Sequence, residues 1–142
     1  MERLFLPVQQ AMQSTGPAAE RLTAMIKAHA MAMMRNAAFE AVVVQGVHMH
    51  RLAATTPDQR KTLDELIAIR RRFEGLFKQT LEEGIADGSI RALDISITAK
   101  AILGAVNWLS IWYRPMEGET EAAREAIADK IVATQTDGFR KT

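Results

Sequence analysis

Few side chains in this sequence stand where they could do chemistry, and the chemistry they suit is binding. On a helix spanning about residues 17 to 35, His29 shares one face with Leu22, Met25, Ile26, Ala32 and Met33. An imidazole in that setting can hydrogen-bond a buried ligand, or it can be paired within the protein as most buried polar groups are. Arg70 and Glu74 stand four residues apart among Leu66, Phe73, Phe77 and Leu81. They suit a buried ion pair. Equally, the Arg70 guanidinium can fork onto an anionic part of a ligand such as a carboxylate.

Catalysis has no visible constellation. There is no Ser, His and Asp arrangement, no glycine-rich phosphate loop and no pair of Glu-x-x-His segments. His48 and His50 form HisMetHis, a spacing that splays two imidazoles to different sides of a helix. Without a cysteine or a carboxylate cluster nearby, no metal site is expected. The expectation is a protein that is not an enzyme and carries no cofactor. Met25, Met31, Met33, Met34 and Met49 suit either a surface that adapts to varied apolar ligands or ordinary core packing, because thioether chains are flexible and polarisable.

The elements that position these residues are helices. Glycine and proline fall almost only between segments whose apolar residues recur at three and four, which predicts an all-α fold, an antiparallel bundle of about six helices. A first helix is expected over 5–14, with Pro7 in its first turn, and SerThrGlyPro at 14–17 separates it from the second. The segment 36–50 holds a β-branched run, Val42 to Val44. Because Phe39, Val42, Val43, Gly46 and Met49 also fit a helical stripe, it reads as helix.

Thr56, Pro57 and Gln59 form a capping box with proline at the first helical position, so a long helix starts there and runs to about residue 86. Leu63, Leu66, Ile67, Phe73, Phe77, Leu81 and Ile85 line its apolar side. Asp94 is placed to cap a helix to about residue 113, and Thr120 to cap a last one with Ala123, Ile127, Ile131 and Thr134 along one face.

The stretch 94–113 is apolar on two sides. Ile95, Ala99, Ile102, Val106, Leu109 and Tyr113 form one face; Ile97, Ala101, Gly104, Ala105, Trp108, Ile111 and Trp112 form the other. Only a narrow strip of Ser96, Lys100, Asn107 and Ser110 is polar. Such a helix is covered on both sides. The first face is read as core. The second meets a second copy or a ligand, with Ala101, Gly104 and Ala105 allowing close backbone approach and the tryptophans supplying anchor area.

Composition bounds the rest. The chain has 142 residues, 48% hydrophobic and 25% charged, enough for one domain burying about two-thirds of its unfolded surface. It has no cysteine, so a disulfide framework is excluded. Lys and Arg number 18 against 17 Asp and Glu, so no positive field draws nucleic acid. ArgArgArg at 70–72 points three ways around a helix and is no exception. The apolar runs read as far short of a membrane span, and the start of the chain lacks the features of a secretory signal. A cytoplasmic protein without a membrane partner is expected.

Within the run from Phe73 to Pro115 stand, in order, Glu82, Glu83, Gly84 and Ile85; AspGlySerIleArg at 87–91; Asp94; IleLeuGly at 102–104; Asn107 and Trp108; and TrpTyrArgPro at 112–115. In this order and spacing the run resembles the C-terminal regulatory domain of the TetR (tetracycline repressor) family of transcriptional regulators. It is similar in particular to the branch that senses acyl-CoA thioesters and related lipid or steroid breakdown products.

The resemblance implies a single regulatory domain over 1–142, with the family's helix-turn-helix head absent because none fits before Leu4. It implies a homodimer in which the last two helices of each copy make a four-helix bundle. Ala101, Gly104, Ala105, Trp108, Ile127 and Ile131 would lie at that interface. It implies a hydrophobic or acyl-CoA-type effector among the middle helices, near His29, Met33, Arg70, Phe73, Phe77, Trp108 and Trp112. Arg114 would reach a phosphate of a CoA-like ligand, or else cap the carbonyls at its helix terminus. Operator DNA would be contacted only through the missing head, and the first helix would couple pocket to head. The alternative is a small helical lipid-binding or enzyme domain with no DNA role.

Overall fold

A computed structural model of the chain describes residues 2–37 and 56–138. The described residues form only helices: α1 Glu2–Met12, α2 Ala18–Arg35, α3 Pro57–Asp87, α4 Ile95–Asn107, the single turn α5 Leu109–Trp112, and α6 Glu121–Thr136. The stripe around Val42 to Val44 and the HisMetHis at 48–50 lie outside the described residues.

The helix starts follow from capping chemistry. Thr56 Oγ1 accepts the Gln59 amide at 3.1 Å, while the Gln59 side chain accepts the Thr56 amide at 3.3 Å, the reciprocal pair expected from the sequence. Asp94 Oδ1 accepts from the Ile97 amide at 2.8 Å, and Thr120 Oγ1 from the Ala123 amide at 3.1 Å. Two turns close between helices with glycine in the left-handed region: Gly88 (φ 81°) after α3 and Gly118 (φ 77°) before α6.

The central helix is α2. It packs against α1, α3, α4, α5 and α6, and residues Ala30 to Met34 are buried without interruption. A helix whose consecutive residues are all buried is surrounded. Leu22, Met25, Ile26, His29, Ala32 and Met33 are buried as their shared face requires. The α3 side chains that reach this core are Phe73, Phe77 and Leu81, joined by Thr80. The Thr80 hydroxyl sits 3.0 Å from the Leu76 carbonyl and 3.2 Å from Met25 Sδ.

The ends of α1, α2 and α3 are tied together. Arg21 donates to the Met12 and Gly16 carbonyls, each at 3.2 Å, and pairs with Glu83 at 2.7 Å. Asp87 accepts the Ala18 amide at 2.9 Å and the Ser89 amide at 2.8 Å. The Ser89 side chain first, then these two amides, hold the Asp87 carboxyl below its usual range; Arg21, with Gln79 second, does the same for Glu83. At the other end, Lys27 pairs with Asp129 at 3.0 Å and Glu125 at 3.6 Å, and Arg35 with Glu121, fixing α6 along α2.

Several expectations need correction. The first helix begins at Glu2, so Pro7 lies inside it rather than in its first turn. The helix over 94–113 is interrupted at Trp108, which divides α4 from α5. On α6 the fully buried line is Ala128 and Val132; Ile127 and Ile131 are half-buried, while Ala123 and Thr134 are exposed. Ile127 and Ile131 thus flank the line by which α6 packs on α2. Finally, Ile95–Trp112 does reach the length and apolar content of a membrane span. Its polar residues are mostly small, and averaging over eighteen positions hides the fact that only one face enters the core.

Candidate functional site

The inner face of α4 and α5 meets α2 at one polar contact inside the apolar core. His29, 1% exposed, points its Nε2 at Asn107 Oδ1, 2.9 Å away. A carboxamide oxygen can only accept, so Nε2 carries the proton and donates. Around the imidazole stand aromatic rings: Phe73 edge-on with centroids 4.8 Å apart, Phe77 at 6.3 Å, and Phe5 of α1 behind Phe73 at 5.2 Å. Met25 and Met33 are buried in the same core.

Electrostatics keep this imidazole neutral. Burial lowers its pKa to about 4; the bond to Asn107 works against that shift, and the nearby positive charge of Arg70 adds to it. With Nε2 protonated and the ring neutral, Nδ1 is a bare acceptor. It is buried and has no hydrogen-bond partner. Ser110 Oγ on α5 is also buried without a partner. Each is a polar atom in apolar surroundings, where an unmade hydrogen bond costs about 1–3 kcal/mol.

The site residues read from the sequence divide into groups. His29, Met33, Phe73 and Phe77 come together in the core, with Arg70 half-buried and close enough for its charge to act on His29. Trp108 and Trp112 do not join them: their side chains lie at the surface, 59% and 49% exposed. Arg114 is exposed and donates to the carbonyl of the preceding Tyr113 at 3.1 Å. Glu74 is held by Lys78 at 3.2 Å and Lys100 at 3.4 Å.

Asn107 and Ser110 are the polar site residues that periodicity missed. Both fall on the narrow polar strip of the helical wheel, which reads as the solvent side of a regular helix. The interruption at Trp108 brings Ser110 inward, and His29 draws Asn107. Among the described residues, no group of three or more His, Cys, Asp or Glu side chains could hold a metal ion.

The second face of α4 is open. Ala101 and Gly104 are exposed, Ala105 and Ile111 are half-buried, and Ile97 is 67% exposed. A Cβ added at Gly104 would meet nothing within 4 Å. Together with Trp108 and Trp112 this makes an apolar surface of the kind that marks an interaction site.

Known structures resemble this arrangement. A TetR family transcriptional regulator, PfmR from Thermus thermophilus, superposes with a TM-score of 0.78 at 24% identity, over 99% of this chain and 70% of its own. FadR from Bacillus subtilis in complex with stearoyl-CoA has a TM-score of 0.67 at 17% identity, over 98% of this chain and 72% of that one. AibR in complex with isovaleryl coenzyme A and operator DNA gives 0.62 at 23%, over 92% and 71%. Among curated proteins no sequence matches the chain. The family described as tetracyclin repressor-like, C-terminal domain, matches residues 15–139, so the chain belongs to that family of TetR-type regulators.

Proposed function

We propose that this chain is the effector-sensing and dimerisation domain of a transcriptional repressor, and that its effector is a hydrophobic, acyl-CoA- or lipid-like molecule taken into the core beside His29. The observation that carries the reading is the division of α4 and α5 into two apolar faces. One packs onto α2 around the His29 to Asn107 contact, and the other, through Ile97, Trp108 and Trp112, stands open. The stearoyl-CoA and isovaleryl coenzyme A complexes of proteins with the same fold support the effector class.

In this reading the open face, with Ala101, Gly104, Ala105 and Trp108, and with Ile127 and Ile131 of α6, meets a second copy. Phe73, Phe77 and Met33 line the effector. Operator DNA is held by a separate helix-turn-helix domain, in the cytoplasm, and no catalytic step is involved.

The mechanism is a shift between two helix packings. An effector acts only through its preference for one of them. Phe73 touches His29 on one side and Phe5 on the other, so a molecule that displaces Phe73 also displaces α1. Arg21 joins the end of α1 to Glu83 of α3 and makes α1 respond to the core as a unit. Moving α1 changes the angle presented to a DNA-binding head.

Native mass spectrometry of the purified chain tests both halves. A dimer carrying an acyl-CoA or lipid mass is the expected result. A ligand-free monomer would remove both the interface and the effector.

A further inference from the structure

Inside the core the site has a preference for one kind of effector. We infer that His29 Nδ1 is the acceptor for a hydrogen-bond donor carried by the effector, so that the site selects an apolar molecule bearing a hydroxyl over one bearing none. The inference rests on the effector reading above and names a chemical feature of the effector.

The geometry fixes the polarity. Because Asn107 Oδ1 takes the Nε2 proton, the neutral ring has only a lone pair at Nδ1. The ring is 1% exposed and Nδ1 has no partner. Among the described residues, Phe73 and Phe77 pack their rings against it. Acceptor-only groups such as an ether, ester or thioester oxygen cannot satisfy this lone pair. A hydroxyl can, and its oxygen then remains able to accept. Ser110 Oγ supplies a second unpartnered buried hydroxyl where α5 packs on α2.

Room for such a molecule comes from side chains that rearrange at low cost. Met25, Met31, Met33 and Met34 are buried along α2, and methionine fits irregular spaces through its rotatable bonds. An effector that leaves Nδ1 unpaired forfeits the bond, whereas one that donates to it removes the penalty of an unpartnered buried acceptor. A site built to hydrogen-bond one group discriminates in this way against the analogue lacking it.

The test uses 1-decanol and decyl methyl ether, two probes of similar apolar bulk of which only the alcohol can donate. Binding is measured by titration on the chain with nitrogen-15-labelled histidine. The alcohol is expected to bind about tenfold tighter, the factor for one buried hydrogen bond. The Nδ1 resonance is expected to move upfield with the alcohol alone. In His29→Phe, which keeps a ring in place, both probes should bind alike. The wild-type resonance gives the answer even if that variant fails to fold. Equal affinity with an unmoved Nδ1 resonance would overturn the inference and leave the apolar effector standing. Binding of neither probe would overturn the inference, and the effector reading then stands or falls on the native mass spectrum.

Discussion

The rings of Phe5 and Phe73 meet edge to face, their centroids 5.2 Å apart and their planes at 68°. This contact joins the first helix to the aromatic cluster that holds His29, since Phe73 meets that imidazole at 4.8 Å and Phe77 at 5.5 Å. A helix of eleven residues is marginal by itself in water, and α1 also carries Pro7 in its interior. It is held by packing against α2 and by the Arg21 contact to Met12.

Truncating Phe5 should therefore loosen α1 before it loosens anything else. Phe5 is half-buried, so Phe5→Ala is expected to cost about 2 kcal/mol, below the range for a fully buried phenylalanine. Hydrogen exchange should quicken in α1 while α2 keeps its protection. Uniform loss of protection across both helices would show that α1 and α2 open as one unit, and would argue against α1 as the responsive element.

Acid should destabilise the protein through His29. Its folded pKa, about 4, lies below the ordinary value of 6.5, so between those values the unfolded chain binds a proton that the folded chain refuses. Stability is then greatest above pH 6.5 and falls as pH drops towards 4. The whole effect is roughly 3 kcal/mol, with about 2 kcal/mol lost by about pH 5. Urea denaturation at neutral pH and in mild acid measures it. His29→Gln should remove most of the slope; a slope unchanged in that variant would place its origin in another titrating group.

Gly84 and Gly75 should respond in opposite ways to alanine. A Cβ at Gly84 would lie 2.3 Å from Ile90 Cδ1, where the chain after α3 folds back and the Ile90 amide bonds the Gly84 carbonyl at 3.0 Å. Gly84→Ala is expected to destabilise by about 1–3 kcal/mol through overpacking. At Gly75 a Cβ meets nothing within 4 Å, and the same change should stabilise the helix by up to about 1 kcal/mol. Thermal melts of the two variants give the signs directly.

Much of the architecture is legible in periodicity and capping. The Thr56 box, the Asp94 and Thr120 caps, and the buried face of α2 follow from residue types at fixed spacings, because these are local interactions. What periodicity could not give is relative placement. Nothing local says that α2 is surrounded: its alanines and methionines are apolar without being large, and their burial depends on neighbours distant in the chain. That α6 buries Ala128 and Val132 depends on its packing along α2, a neighbour distant in the chain. Asn107 reads as a solvent residue until His29, 78 positions away, is brought against it.

The open face of α4 gives the sharpest separation between fold and assembly. Gly104 lies at the middle of that face, exposed, with no atom near the position a side chain would take. Within one copy, Gly104→Leu should be harmless and even favourable, since leucine in a helix interior is better than glycine by roughly 0.8 kcal/mol. Between two copies the same leucine would sit where backbones approach, and forcing added bulk into a packed contact costs about 1–3 kcal/mol on each side of a symmetric interface. The expected outcome is a variant whose monomer melts no lower than the parent at limiting dilution but whose sedimentation equilibrium shifts towards the monomer. If the variant instead stays dimeric with the parent's dissociation constant, the second copy does not sit on Gly104, and the exposed tryptophans beside it must face something else.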